Sequence, residues 1–111
     1  MYIRCAFFEG RVKPGQDEAF HAFVSEKLVP LWTRFPGAEE VRVMSQKTSD
    51  TEHPAYAMVL AIKYPTLEAI DKALASEVRF QSRDVTSDLV KMFDGRIFHT
   101  IFDLRHNLPL A

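Results

Sequence analysis

Hydrophobic positions change period along the chain in an order that defines an architecture. Tyr2 to Phe8 is a run of aromatic and apolar residues that reads as a strand, and it feeds a turn at Val12-Lys13-Pro14-Gly15. Asp17 and Glu18 then occupy a first helical turn, where the macrodipole favours acids. Phe20, Phe23, Val24, Leu28 and Leu31 follow at spacings of three and four, a single apolar stripe. Pro30 interrupts it, which predicts a kink or a fresh helical turn starting there. Glu40 to Gln46 alternates weakly as a second strand, and a polar loop runs from Lys47 to Pro54.

Tyr56 to Tyr64 is the clearest strand. Its even positions are large and its odd positions are small, which predicts burial on both sides with a helix packed closely on the small face. Thr66 is a natural N-cap for a helix carrying Leu67, Ile70 and Leu74. The phase resets at Ala75-Ser76, and Val78, Ser82, Val85, Leu89 and Met92 form a second stripe. Asp94-Gly95 reads as the helix stop, Arg96 to Arg105 as the last strand, and His106 to Ala111 as a short tail. The order β-α-β-β-α-β is the ferredoxin-like arrangement: a four-stranded antiparallel sheet with its helices on one face, an α+β fold.

Two helical regions cover one face of such a sheet. The other would expose on the order of 400 Å² of apolar surface, more than a soluble monomer tolerates, so a homodimer forming a dimeric α/β barrel is expected. The 111 residues suit one domain, 1–111, with a modest core. A net charge of −1 gives no electrostatic footprint for nucleic acid. The longest uncharged apolar run, Ala55 to Ile62, is too short to span a bilayer, and the N-terminus lacks signal-peptide features. A cytoplasmic protein without nucleic-acid or membrane partners is the expectation. The single cysteine, Cys5, excludes an intrachain disulfide and reads as an inert buried thiol.

Candidate chemistry centres on a few side chains. His99 is a general-base candidate, weighed against a hydrogen-bonded structural histidine. Asp103 shares its strand face, but four strand positions put the two about 13 Å apart, so they are no dyad. Arg4 sits in an apolar strand and needs an acceptor. That acceptor is either a ligand carboxylate or, the preferred reading, an acid such as Glu9, Asp103 or one from a partner chain. Trp32, at the end of the interrupted helix, and Tyr56 are candidates for lining a cavity for a flat apolar ligand, with Asp103 as a further polar contact. The four histidines show no metal-ligand spacing, so neither a metal nor a cofactor is expected.

Whether Arg4 and His99 share a face depends on strand register, and opposite faces is the favoured arrangement. If they do share a cavity, arginine should push His99 below its ordinary value of about 6.5.

Three stretches carry a resemblance. They are Leu28-Val29-Pro30-Leu31-Trp32 with Phe35-Pro36-Gly37, Tyr56 to Tyr64 with Pro65-Thr66-Leu67-Glu68-Ala69, and Ala73-Leu74-Ala75-Ser76-Glu77-Val78-Arg79. Together the chain resembles the dimeric α/β-barrel superfamily, which includes EthD-like, stress-responsive A/B-barrel and antibiotic-biosynthesis-type monooxygenase proteins. Val29 stands where EthD-like chains often carry a histidine, so that residue's role does not transfer. Arg4 falls where A/B-barrel proteins often carry a first-strand histidine. The resemblance implies a small homodimer that binds or transforms a small apolar or aromatic metabolite without a cofactor. The alternatives are a non-enzymatic binding module, or haem binding through His99 or His21.

Overall fold

The computed structural model describes all 111 residues. Strand β1 (Tyr2–Val12) leads into α1 (Asp17–Phe23), a π-helical turn (Val24–Leu28) and α2 (Val29–Trp32). Strands β2 (Glu40–Met44) and β3 (Tyr56–Tyr64) follow, then α3 (Leu67–Leu74), α4 (Glu77–Leu89), a 3-10 turn (Val90–Met92) and β4 (Phe93–Asp103). The sheet is antiparallel throughout, in the order β2-β3-β1-β4. This is the ferredoxin-like α+β fold that the periodicities predict. No helix is long and apolar enough to cross a membrane.

The first helical region holds its stripe by changing pitch. Phe20, Val24, Leu28 and Trp32 are all buried at intervals of four residues. At 100° per residue, each step of four would drift about 40° around an ideal α-helix. The π turn absorbs that drift: the Val29 N–H donates to the Val24 carbonyl, five residues back. Pro30 then enters the first turn of α2, where its missing N–H removes no intrahelical bond. The stripe therefore reaches Trp32 and Phe35 still facing the sheet.

Thr66 caps α3, accepting from the Ala69 N–H at 3.0 Å, and Ser76 caps α4, accepting from the Arg79 N–H at 3.3 Å. β1 and β4 pair without a break from Tyr2↔Asp103 to Val12↔Phe93. Near one end of that ladder Gly10 faces Gly95, and a Cβ on either would lie about 2 Å from a backbone oxygen of the other strand. Only glycine fits both positions.

Three expectations are corrected. β4 begins at Phe93, so Asp94-Gly95 lies inside the strand, and the helix ends instead through the 3-10 turn. The large side chains of β3 (Met58, Leu60, Ile62, Tyr64) face the helices and form the core, while Val59 and Ala61 face the other way. Bulky residues belong where two layers must be filled, and the small ones leave a flatter outer face. Finally, a register shift between Phe8 and Glu9 skips Ala57, so Tyr56 departs from the even-numbered set and packs on Phe7, with ring centroids 5.6 Å apart.

The face without helices is aromatic at its centre. Phe7 stacks on Phe98 across the β1–β4 ladder at 5.0 Å and meets Phe102 edge-on. Charge pairs surround it: Arg96 binds Glu9 at 3.1 Å and lies over the Phe98 ring, and Arg42 binds Glu40.

Candidate functional site

A cavity of about 450 Å³ lies between the sheet and the helical layer. Its floor is the helix-facing side of three strands: Arg4, Ala6 and Phe8 of β1, Leu60 and Ile62 of β3, Ile97 and His99 of β4. Trp32 and Phe35 close one side. The opposite wall is one stripe of α4, Arg79, Ser82, Arg83, Thr86 and Ser87, continued by Val90. Trp32, Phe35, Phe8, Leu60 and Ser82 are buried, whereas Arg83, Ser87, Val90 and His99 are exposed. The enclosed end is thus aromatic and aliphatic, and the mouth opens between α4 and the edge strand β4.

Strand register brings Arg4 and His99 together. His99 pairs with Ala6 and Arg4 pairs with Ile101, so the two are diagonal neighbours on one face, about 7–8 Å apart at the backbone. The favoured arrangement on opposite faces is therefore corrected. Ala6, the smallest side chain on this part of the floor, leaves room beside the imidazole. Arg4 also makes no ion pair: Glu9, one of the acids considered for it, binds Arg96 on the opposite face. Asp103 pairs with Tyr2 at the end of the sheet, exposed and outside the cavity. Tyr56 lies on the far face with Phe7, also outside the cavity. Of the residues singled out in the sequence, the cavity gathers Arg4, Trp32 and His99.

Arg79 and Arg83 were not singled out, nor were Ser82, Thr86 and Ser87 as cavity-lining groups. A signal exists: positions 79, 82, 83 and 86 form a polar stripe at helical spacing beside the apolar one through Val78, Val85 and Leu89. A polar stripe normally reads as solvated surface. Here it faces a gap that the neighbouring layers leave unfilled.

No carboxylate lines the cavity, so its field is positive. Partial burial, reinforced by Arg4 and Arg79, lowers His99 from its ordinary value to about 4. The imidazole is neutral at pH 7, with one ring nitrogen free to accept a proton. Burial also pushes the Arg4 guanidinium down, helped by Arg79, and raises the Tyr64 hydroxyl behind it. No three His, Cys, Asp or Glu side chains come together as a metal cluster. His21 stands apart, edge-on to Phe20.

The arrangement can bind negative charge at the Arg4–Arg79 pole, hold an apolar ring against Trp32 and Phe8, and accept a proton at His99. No protein-family profile matches the sequence, and no curated protein matches it. Solved structures do match. An ethyl tert-butyl ether D (EthD) family protein from Bacillus halodurans superposes with a TM-score of 0.67 at 16% identity, covering 93% of this chain and 98% of its own. SnoaB, a cofactor-independent oxygenase from Streptomyces nogalater, gives 0.63 at 17% identity over 98% and 97%. A protein from Arabidopsis thaliana gives 0.68 at 10% identity over 99% and 100%. At these identities the likeness is one of fold: this chain is built as the EthD-family and antibiotic-biosynthesis-monooxygenase-like proteins are, on a ferredoxin-like α+β frame.

Proposed function

We propose that this protein binds a small, flat, apolar acid in the cavity and transforms it without a cofactor. In this reading His99 is the proton acceptor, and Arg4 and Arg79 hold the negative charge. The observation that carries it is the convergence of two half-buried guanidinium groups and a neutral imidazole in an apolar cavity that contains no acid. An unpaired buried cation is costly, and a ligand anion supplies what the fold leaves out. Neutral His99 removes a proton from an acidic C–H or O–H of the ligand. The electron pair moves onto the adjacent oxygen, where the guanidinium groups stabilise it. Reprotonation at another carbon completes an isomerisation. Attack of the electron-rich carbon on dioxygen, the oxidant in that case, begins an oxygenation. The cofactor-independent oxygenase among the fold relatives supports this chemistry by analogy alone.

The reading includes a homodimer joined through the aromatic face opposite the cavity. Phe7, Phe98, Phe102 and Tyr56 make an apolar centre with charged pairs at its margin, the anatomy of a protein–protein interface.

Calorimetric titration with 2-naphthoate and with its neutral amide, 2-naphthamide, tests the site. The acid is expected to bind at least about tenfold more tightly, the effect of one charge-assisted hydrogen bond. Arg4→Met should remove most of that preference. Equal affinity for acid and amide would overturn the reading.

A further inference from the structure

The cavity carries a second pattern, in the direction of its hydrogen bonds. Ser82 Oγ lies 2.8 Å from the Arg79 carbonyl oxygen, and Thr86 Oγ1 lies 2.6 Å from the Ser82 carbonyl oxygen. At the mouth, Ser87 Oγ lies 2.5 Å from the Asp84 carbonyl oxygen. Two oxygens at such distances share a hydrogen, and a carbonyl has none to give. Each hydroxyl therefore donates backward into its own helix and keeps only lone pairs for the cavity. The hydroxyls of the α4 wall offer acceptors, beside the exposed Arg83 guanidinium, while the Arg4–Arg79 pole offers donors alone. The two are separated along the helix. Ser82 lies about 4.5 Å and Thr86 about 10.5 Å beyond Arg79 at the helical rise per residue. Ser82 is buried, so the lone pairs that its hydroxyl keeps free have little access to water.

We infer that the ligand is a hydroxyaryl acid, with its carboxylate between Arg4 and Arg79 and a hydroxyl donating to Ser82 or Thr86 across the ring. The inference rests on the acid-binding reading above and adds a donor at the ligand's far end. A plain aryl acid leaves the wall's lone pairs unmatched. A ligand whose far end only accepts meets lone pairs with lone pairs at Ser82 and Thr86. Trp32, Phe8 and Phe35 supply the flat apolar surfaces between the two polar ends.

Competitive calorimetry with 2-naphthoate and its 6-hydroxy, 6-methyl and 6-methoxy derivatives separates these cases. The methyl group matches the hydroxyl in size without a donor, and the methoxy group offers an acceptor. The hydroxy acid is expected to bind about fivefold or more tightly than either, the worth of one neutral hydrogen bond. Thr86→Val, which keeps the side-chain shape, and Ser82→Ala are each measured for fold by circular dichroism. At least one of them should bring the hydroxy acid down to the level of the methyl acid. If 2-naphthoate binds better than its amide but the hydroxy acid gains nothing, or if both variants keep the hydroxy preference, this inference falls and the acid site stands. If 2-naphthoate binds no better than the amide, both fall.

Discussion

At His99 the position of one side chain in the fold sets its titration. Its folded-state value of about 4 lies below the ordinary 6.5, so between those pH values the unfolded chain binds the extra proton. Stability is fully present above about pH 6.5 and declines as pH falls toward 4, by an amount that solvent at the cavity mouth keeps modest. Urea denaturation at pH 7.5 and pH 4.5 should show a smaller loss for His99→Gln than for the natural protein. An equal or larger loss in the variant would mean that His99 is not held neutral by its surroundings. The same field makes the free imidazole a weak base. An anion bound between Arg4 and Arg79 offsets their charge, so saturating 2-naphthoate should raise the His99 midpoint, read from the imidazole proton resonances by NMR. An unmoved midpoint would separate the anion site from the imidazole.

At the scale of elements, α4 matters most because it supplies a whole wall of the site. Ser76 fixes its start, accepting from the Arg79 N–H while donating to the Ala73 carbonyl at 2.6 Å. Ser76→Ala should cost about 1 kcal/mol by urea denaturation, and because Arg79 loses its backbone anchor, 2-naphthoate affinity should fall as well. Unchanged affinity in a destabilised variant would show that the cap does not position the guanidinium. Much of this layer was legible in the sequence, as were the order of elements, the Thr66 cap, the phase reset at Ala75-Ser76 and the new turn at Pro30. The strand pairing was not. A one-residue register change inverts every side chain, and nothing local in Tyr2 to Phe8 or Arg96 to Asp103 states which partner lies opposite which. The displacement of Tyr56 was hidden for the same reason, since a bulge is a property of two strands rather than one. The α4 stripe was misleading in a different way: whether a polar stripe faces water or a cavity depends on the packing of layers that periodicity does not describe.

For the whole molecule, the sheet has two faces with different tasks. One floors the candidate site, and the other presents Phe7, Phe98 and Phe102 on the side without helices. Sedimentation equilibrium at micromolar concentration should give twice the 12.7 kDa of the chain. Phe102 is 48% exposed and lies with Phe7 on the helix-free face, so Phe102→Glu should yield a folded protein near the single-chain mass. A dimeric variant would move the interface elsewhere. By contrast, Met58→Asp is expected to prevent folding, because it places a carboxylate in the apolar layer beneath the helices, outside the cavity.

The ladder between β1 and β4 has a further consequence, for the life of the chain as it is made. Arg4 lies on β1 and His99 on β4, and they meet only when these two strands pair. Closing that long loop comes late, because its entropy must be met before the pairing returns any energy. No chain that lacks β4 can hold the cationic Arg4–Arg79 pole and the imidazole together. The candidate site is therefore assembled only when the fold is complete, and partly folded chains expose apolar sheet before Arg4 and His99 are neighbours.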